Sequence, residues 1–232
     1  MPHASIAFLS YNRPESLLRA VNTALEDPGY PVEVIVHDDG SSEDVQEHIK
    51  RVPHVTNLII GYHDHNEGVG RSINKAFLLA TGDYLGKADQ DLVFTPRWLD
   101  KAIRVLEADD FVGMVGLFKY GHPPVDWREM QRDQGRFSGQ AGVPEYHYVE
   151  DFVSSAFVIP AELYRELGPL PEHSAAFAED VEYKHKIQDY WSAELALLDE
   201  DVVTNTGFGI GPSTICLPGG KVHEINYGPK IF

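Results

Sequence analysis

Hydrophobic and polar positions follow two different periods through the first half of the chain. Short apolar runs predict β-strands at residues 5–9, 32–37, 58–62, 84–87 and 112–117. Apolar residues at helical spacing predict helices at residues 15–26, 43–50, 69–80 and 97–108. Strands that are separated by single helices favour right-handed β-α-β units. We therefore predict an α/β fold whose central sheet is mainly parallel and is covered by helices on both faces.

The second half of the chain is less regular. Residues 119–147 and 204–232 are rich in glycine, proline and aromatic residues and predict irregular structure. Between them, periodicity resumes at residues 151–159, and helices are expected at 160–167 and 181–190. We find neither an internal repeat nor a linker, so we expect one domain over residues 1–232 with an irregular C-terminal third.

The charge of the chain limits its partners. It has 19 lysine and arginine residues against 36 aspartate and glutamate residues, a formal charge of −17. Such a chain repels phosphate backbones, which argues against nucleic acid as a partner and suggests that a bound phosphate compound needs a metal ion. No apolar run approaches a membrane span, and the N-terminus does not resemble a secretory signal, so a cytoplasmic location is expected. A single cysteine, Cys216, cannot form an internal disulfide.

Three polar clusters follow predicted strands, at residues 10–13, 38–39 and 89–91. In open parallel sheets, ligands bind at the carboxyl ends of the strands. Asp38 or Asp39 could instead cap the helix that begins near residue 43. Asp89 and Asp91 are two residues apart, and their carboxylates repel each other unless a cation lies between them. Oxygen ligands of this kind suit Mg²⁺ or Mn²⁺, which are bound by one or two carboxylates together with substrate phosphates.

A series of motifs in this order resembles the nucleotide-binding half of the family 2 inverting glycosyltransferases, which have the GT-A fold. The motifs are residues 5–14, 34–42, 66–74, 80–85 and 89–91. The resemblance covers roughly residues 4–117, about half of the chain. In the second half, residues 177–182 resemble the Glu-Asp motif of that family. His223 is placed like the C-terminal histidine that completes the metal site in some members.

The resemblance implies a nucleotide-diphosphate sugar as donor and Mn²⁺ or Mg²⁺ as cofactor. Residues 1–117 would form the half that binds the nucleotide sugar, and residues 118–232 the half that binds the acceptor. Asp91 would ligate the metal, with Asp89 and His223 as further ligands. The donor would be bound by Ser10, Tyr11, Asn12, Arg13, Asp39, Asn66, Gly68, Arg71, Asn74, Asp89 and Gln90.

The Glu-Asp motif would supply the catalytic residues, Glu179 and Asp180. In an inverting transfer a carboxylate takes the proton of the acceptor hydroxyl, and motif position assigns that role to Asp180. The same two acids could instead only stabilise the predicted helix, because negative side chains near a helix N-terminus interact favourably with the helix dipole. One departure from the family concerns the diphosphate. Many relatives have an arginine where this chain has Ile73, which leaves Arg71 as the nearest upstream cation.

The function that these features favour is a metal-dependent inverting glycosyltransferase acting on a glycan, a small molecule or a protein side chain. A sugar-phosphate nucleotidyltransferase is an alternative, although residues 10–14 lack the glycine-rich loop of those enzymes. A non-catalytic module that binds nucleotide sugars is a second alternative. The acids Asp39, Asp89, Asp91 and Asp180 count against that second alternative.

Overall fold

A computed structural model of the chain describes residues 1–50, 58–117, 131–137, 141–152, 154–172, 178–200, 202–205, 213–217 and 221–225. The helices in these ranges are α1 (Pro14–Glu26), α2 (Glu43–Ile49), α3 (Val69–Leu79), α4 (Trp98–Ala108), α5 (Ala161–Leu167) and α6 (Ala178–Trp191). The strands are β1 (Ala4–Ser10), β2 (Val32–Asp38), β3 (Leu58–Tyr62), β4 (Tyr84–Asp89), β5 (Leu92–Phe94), β6 (Val112–Gly116), β7 (Gln131–Phe137), β8 (Tyr146–Val149), β9 (Ala156–Pro160), β10 (Glu194–Leu198), β11 (Val203–Asn205), β12 (Ser213–Leu217) and β13 (Lys221–Ile225).

The central sheet has the strand order β3-β2-β1-β4-β9-β6-β10-β8-β7. The first four strands in this order are paired in parallel. Strands β6 and β10 are also parallel to each other, while β9 and β8 run antiparallel to their neighbours. Each strand and helix predicted for residues 5–117 is present, with boundaries shifted by a few residues at most. The predicted α/β fold with a mainly parallel sheet is confirmed.

Strand order beyond β4 differs from a simple series of β-α-β units. Strand β9 lies between β4 and β6 and is antiparallel to both. Residues 156–159 of β9 are buried, so this apolar strand fills a central position without a preceding crossover helix. Sequence periodicity placed this strand at residues 151–159, but its first residues form a connection instead. That connection lies beside the site described below.

The stretches predicted to be irregular contain strands. Residues 131–137 form β7, and β12 pairs with β13 as a hairpin. The sequence of β7, Gln-Arg-Asp-Gln-Gly-Arg-Phe, has almost no apolar positions, so no strand period is visible in it. The short strands β5 and β10 were not predicted either; β5 pairs with β11 in a separate two-stranded sheet.

The core lies on both faces of the central sheet. In β1, Ile6 and Phe8 belong to one buried cluster, while Ala7 and Leu9 belong to the other. Side chains alternate across a strand, so a central strand with both faces covered is apolar throughout. This burial fixes the ends of β1 and its neighbours in position. None of the helices in the described ranges is long and apolar enough to cross a membrane.

Candidate functional site

The carboxyl ends of β2, β1 and β4 meet at one edge of the sheet. Ser10 at the end of β1 is paired with Asp38 of β2, and Leu9 is paired with Asp89 of β4. The three polar clusters predicted from the sequence are therefore neighbours in space. The hydroxyl oxygen of Ser10 is buried, and within the described residues it has no hydrogen-bond partner. A buried polar atom without a partner is uncommon and is consistent with a ligand group at this position.

Gln90 joins the end of β4 to the chain beyond β1. Its side-chain oxygen accepts a hydrogen bond from the backbone N–H of Tyr11 at 3.0 Å, and its amide nitrogen donates to the carbonyl of Tyr11 at 3.0 Å. These two bonds continue the strand pairing past the last residue of β1. Both backbone groups of Tyr11 are thus fixed, which leaves its ring as the part of this residue that can meet a ligand.

Asp38 and Asp39 have different environments. Asp38 is fully buried and accepts hydrogen bonds from the backbone N–H and the hydroxyl of Ser41, at 2.9 and 2.6 Å. The Ser41 hydroxyl oxygen in turn accepts from the backbone N–H of Asn12 at 2.9 Å. Asp38 therefore stabilises the turn before α2, and Asn12 contributes through its backbone, which has a positive φ of 53°. Ser41 lies before the first residue of α2, so these bonds do not make Asp38 a cap of the helix.

Asp39 orders the loop that precedes α3. One of its oxygens accepts from His63 Nδ1 and from the backbone N–H of Glu67, both at 2.8 Å. The other accepts from the backbone N–H of Gly68 at 2.9 Å. A carboxylate offers about four acceptor positions, so these bonds leave capacity for one more donor. Asn66 lies in the loop that these contacts hold.

Gly40 allows this loop to approach the end of β2. Its φ is +78°, and a Cβ atom at this position would lie 2.3 Å from the carbonyl carbon of His65 and 2.6 Å from the backbone nitrogen of Asn66. Any larger residue would push the loop away. Gly68, with a φ of 96°, ends the loop and begins α3.

Two histidines pack behind Asp39. The rings of His37 and His63 are in edge-to-face contact, with their centroids 4.5 Å apart. Burial and the nearby His63 lower the pKa of His37 from 6.5 to about 4. His37 is therefore neutral at physiological pH. Neither histidine was among the site residues predicted from the sequence.

Arg71 and Asn74 on α3 contact protein groups. Arg71 is about half exposed and pairs with Glu67 at 3.4 Å and with Glu172 at 3.3 Å. The Asn74 side chain is buried, donates to the carbonyl of Leu170 at 2.9 Å and accepts from its N–H at 2.9 Å. Arg71 is thus at a surface position that a phosphate could reach, whereas Asn74 ties α3 to the chain beyond α5.

Each carboxylate of the Asp-x-Asp motif lies beside a basic side chain. Arg13 Nη1 is 3.7 Å from an oxygen of Asp91. Lys87 forms an ion pair with Asp89 and donates a hydrogen bond to the carbonyl of Ser154 at 2.8 Å. The Lys87 side chain is only 7% exposed, whereas that of Asp89 is 34% exposed. A buried ammonium is stable only when paired in this way.

The two carboxylates fit a divalent metal that also binds phosphate oxygens. Mg²⁺ is commonly held by one or two carboxylates plus substrate phosphates, so Asp91 with Asp89 is a sufficient donor set. Within the described residues no three His, Cys, Asp or Glu side chains are grouped as metal ligands. His223 is in strand β13, paired with Ile215, and its side chain lies outside the described part of the structure.

Asp180 in the first turn of α6 has one oxygen 3.8 Å from Lys184 Nζ. Its other oxygen is buried and has no hydrogen-bond partner among the described residues. Lys184 is 2% exposed, forms an ion pair with Asp151 and donates to the carbonyl of Phe152 at 2.6 Å. The side chain of Glu179 lies outside the described residues. Asp180 therefore has a hydrogen-bond acceptor position that none of the described groups uses.

The chain segment just before β9 links the two acidic groups. Lys87 binds its Ser154 carbonyl and Lys184 its Phe152 carbonyl, while the backbone N–H of Asp89 donates to Ser155 at 2.9 Å. The Asp-x-Asp motif and Asp180 thus flank the same short segment. Neither lysine was among the site residues predicted from the sequence. The one signal for Lys87 is a charged residue inside an otherwise apolar strand.

The model of glycosyl transferase family 2 matches residues 5–168, well over half of the chain. The chain belongs to this family. The resemblance found in the sequence is thereby confirmed. Among curated relatives, an uncharacterized glycosyltransferase from Nostoc sp. is 29% identical over 112 residues, 48% of this chain and 35% of the relative. The chondroitin synthase of Escherichia coli is 33% identical over 100 residues, 41% of this chain and 14% of that protein.

Two solved structures share the fold of this family 2 chain. A mannosyltransferase from Pyrobaculum calidifontis, in complex with GDP-Man and Mn²⁺, superposes with a TM-score of 0.66 and 20% identity over 87% of this chain and 55% of that one. TarS of S. aureus in complex with UDP-GlcNAc gives a TM-score of 0.64 and 19% identity over 88% of this chain and 58% of that one. The chain spans about a third of the first curated relatives, at 35% and 36% of their lengths.

Proposed function

We propose that this family 2 chain is a metal-dependent inverting glycosyltransferase that moves a sugar from a nucleotide-diphosphate sugar to an acceptor hydroxyl. The observation that carries the proposal is the meeting of Ser10, Asp39, Asp89 and Asp91 at adjoining strand ends in a member of this family. Relatives of the same fold bind GDP-Man with Mn²⁺ and UDP-GlcNAc, which supports a nucleotide-sugar donor.

Asp39 is suited to bind the nucleobase. Three hydrogen bonds hold its carboxylate in one orientation, and its remaining acceptor position can receive an N–H of a base. The ring of Tyr11 can pack against the base, since both backbone groups of this residue are fixed by Gln90. The unpartnered hydroxyl of Ser10 can bond the nucleoside.

Asp91, with Asp89 beside it, would hold the metal and place the donor diphosphate at the end of β4. When bound, the ion supplies neutralisation of the charge that develops on the departing diphosphate. Arg13 and Arg71 contribute further positive charge near the same edge. These groups offset the repulsion between an anionic protein and an anionic donor.

Asp180 is suited to act as the general base. As the acceptor oxygen forms a bond with the anomeric carbon, the bond from that carbon to the diphosphate breaks on the opposite face. The diphosphate leaves with the electron pair, and the acceptor proton passes to the carboxylate. The buried Asp180 oxygen that lacks a partner in the described residues is the acceptor for this proton.

Donor hydrolysis tests the proposal without knowledge of the acceptor. The protein is incubated with Mn²⁺ and a panel of nucleotide sugars that includes GDP-mannose and UDP-N-acetylglucosamine, and free nucleotide, sugar and pyrophosphate are measured. Slow release of nucleoside diphosphate and sugar from one donor is expected. In a separate incubation with a sugar phosphate and a nucleoside triphosphate, pyrophosphate release would instead identify a nucleotidyltransferase. Donor binding in calorimetry without any turnover would identify a non-catalytic module.

A further inference from the structure

The ion pair between Lys87 and Asp89 has a consequence for the metal. Lys87 Nζ is held between the Asp89 carboxylate and the Ser154 carbonyl, and its side chain is 7% exposed. It stands at a strand position between Gly86 and Ala88, where the neighbouring positions are apolar or small and buried. The ammonium is therefore a permanent part of this strand end. It is not a mobile surface charge that can move away when a cation arrives.

We propose that Lys87 sets the divalent-metal affinity of this site by neutralising Asp89. The inference rests on the proposed function, because it assumes that the metal binds beside Asp91. Lys87 cancels one of the two negative charges of the motif, and Arg13, 3.7 Å from Asp91, offsets part of the other. A weak site for the metal alone becomes a strong one only when the two phosphates of a nucleotide supply the remaining negative charge. Metal and nucleotide then bind together.

Charge substitution at the two positions separates this effect from simple ligand loss. Lys87→Met removes the ammonium and leaves Asp89 as an unpaired carboxylate, so Mn²⁺ should bind more tightly. Asp89→Asn leaves the ammonium uncompensated, so Mn²⁺ should bind more weakly. The double variant restores the net charge of the wild-type pair but lacks the Asp89 carboxylate, so it should bind Mn²⁺ more tightly than Asp89→Asn does. Loss of a ligand alone would leave these two variants equal. A unit of charge this close to a divalent ion changes affinity by about tenfold or more.

The measurement is the dissociation constant of Mn²⁺ alone, from the free-ion signal in electron paramagnetic resonance, and its change on addition of GDP or UDP. Lys101→Met is the matched control, because Lys101 lies on α4 and forms its ion pair with Glu200, at 2.5 Å. Lys87→Gln is a second test variant that keeps a donor for the Ser154 carbonyl. It is read in the same way if Lys87→Met does not fold.

Tighter Mn²⁺ binding by about tenfold in the Lys87 variants, with a smaller gain on adding nucleotide and no change in the control, supports the inference. Unchanged or weaker binding in folded Lys87 variants overturns it. Asp91→Asn distinguishes this failure from failure of the proposed function. If Asp91→Asn binds Mn²⁺ like the wild type, the metal is not at this motif at all. If Asp91→Asn abolishes binding while the Lys87 variants match the wild type, only the role of Lys87 is wrong.

Discussion

Mild acid should destabilise the protein through His37. Its side chain is 2% exposed on β2, and burial together with His63 lowers its pKa to about 4 from 6.5. Of the other charged groups around it, Lys75 also opposes protonation, while Asp39 and Glu67 favour it. The native state therefore keeps this imidazole neutral to about pH 4, whereas the unfolded chain takes up a proton near pH 6.5.

The sign and size of the effect follow from proton linkage. Between pH 6.5 and 4 the unfolded state binds the proton and the native state does not, so the free energy of unfolding falls as the pH is lowered through this range. Each pKa unit corresponds to about 1.4 kcal/mol, so the full difference is about 3 kcal/mol. The protein therefore keeps its full free energy of unfolding above pH 6.5, and the loss due to His37 is complete below pH 4.

Urea unfolding followed by tryptophan fluorescence at a series of pH values from 7.5 to 4.5 measures this effect. His37→Leu removes the titrating group, so its stability should fall less than that of the wild type by about 2 to 3 kcal/mol over the range. His185→Leu is the matched control, because His185 is exposed. If the His37 variant loses stability as steeply as the wild type, burial of this imidazole does not govern the acid response.

Three further predictions concern the candidate site. Asp180→Asn should lower sugar transfer by about 10² or more with donor binding nearly unchanged, as measured by kcat and donor titration, and Glu179→Gln should be milder. In calorimetry, GDP or UDP should bind more tightly with Mn²⁺ than with EDTA, and Asp91→Ala should remove that difference; equal affinity in the wild type contradicts a metal site. Lys184→Met should lower the free energy of unfolding by about 2 kcal/mol, because it leaves two acids without their cation, whereas Asp151→Asn should cost less since that carboxylate is 38% exposed.

The parallel half of the fold is predictable because its signals are local. Each of β1 to β4 is a short apolar run with a helical period on one side, and residues that repeat in this way can only pack as β-α-β units. The position of β9 in the sheet is not determined by local sequence. An apolar run of five residues carries no signal for its partners, and the antiparallel pairing with β4 and β6 depends on contacts across more than 40 residues.

In the candidate site too, residues in local motifs can be predicted from the sequence, whereas their distant partners cannot. Asp39, Asp89 and Asp91 can be predicted as candidates from the sequence because they follow strands and match motifs. The groups that hold them in place cannot, since His63 is 24 residues from Asp39 and the Ser154 carbonyl is 67 residues from Lys87. Asn74 shows the converse. Its motif position predicts a contact with the nucleotide sugar, whereas its side-chain amide is hydrogen-bonded to the backbone of Leu170. No sequence pattern distinguishes a ligand contact from a structural hydrogen bond at this position.

The two buried lysines, Lys87 and Lys184, have similar electrostatic surroundings. In each case an ammonium is less than a tenth exposed, faces one of the proposed functional acids and donates to a carbonyl of the segment before β9. A chain of charge −17 that gathers carboxylates at one sheet edge would repel its own acids as well as the donor. Buried cations beside these acids reduce that repulsion. Because both lysines bind one segment, a shift of that segment changes the surroundings of Asp89 and of Asp180 together.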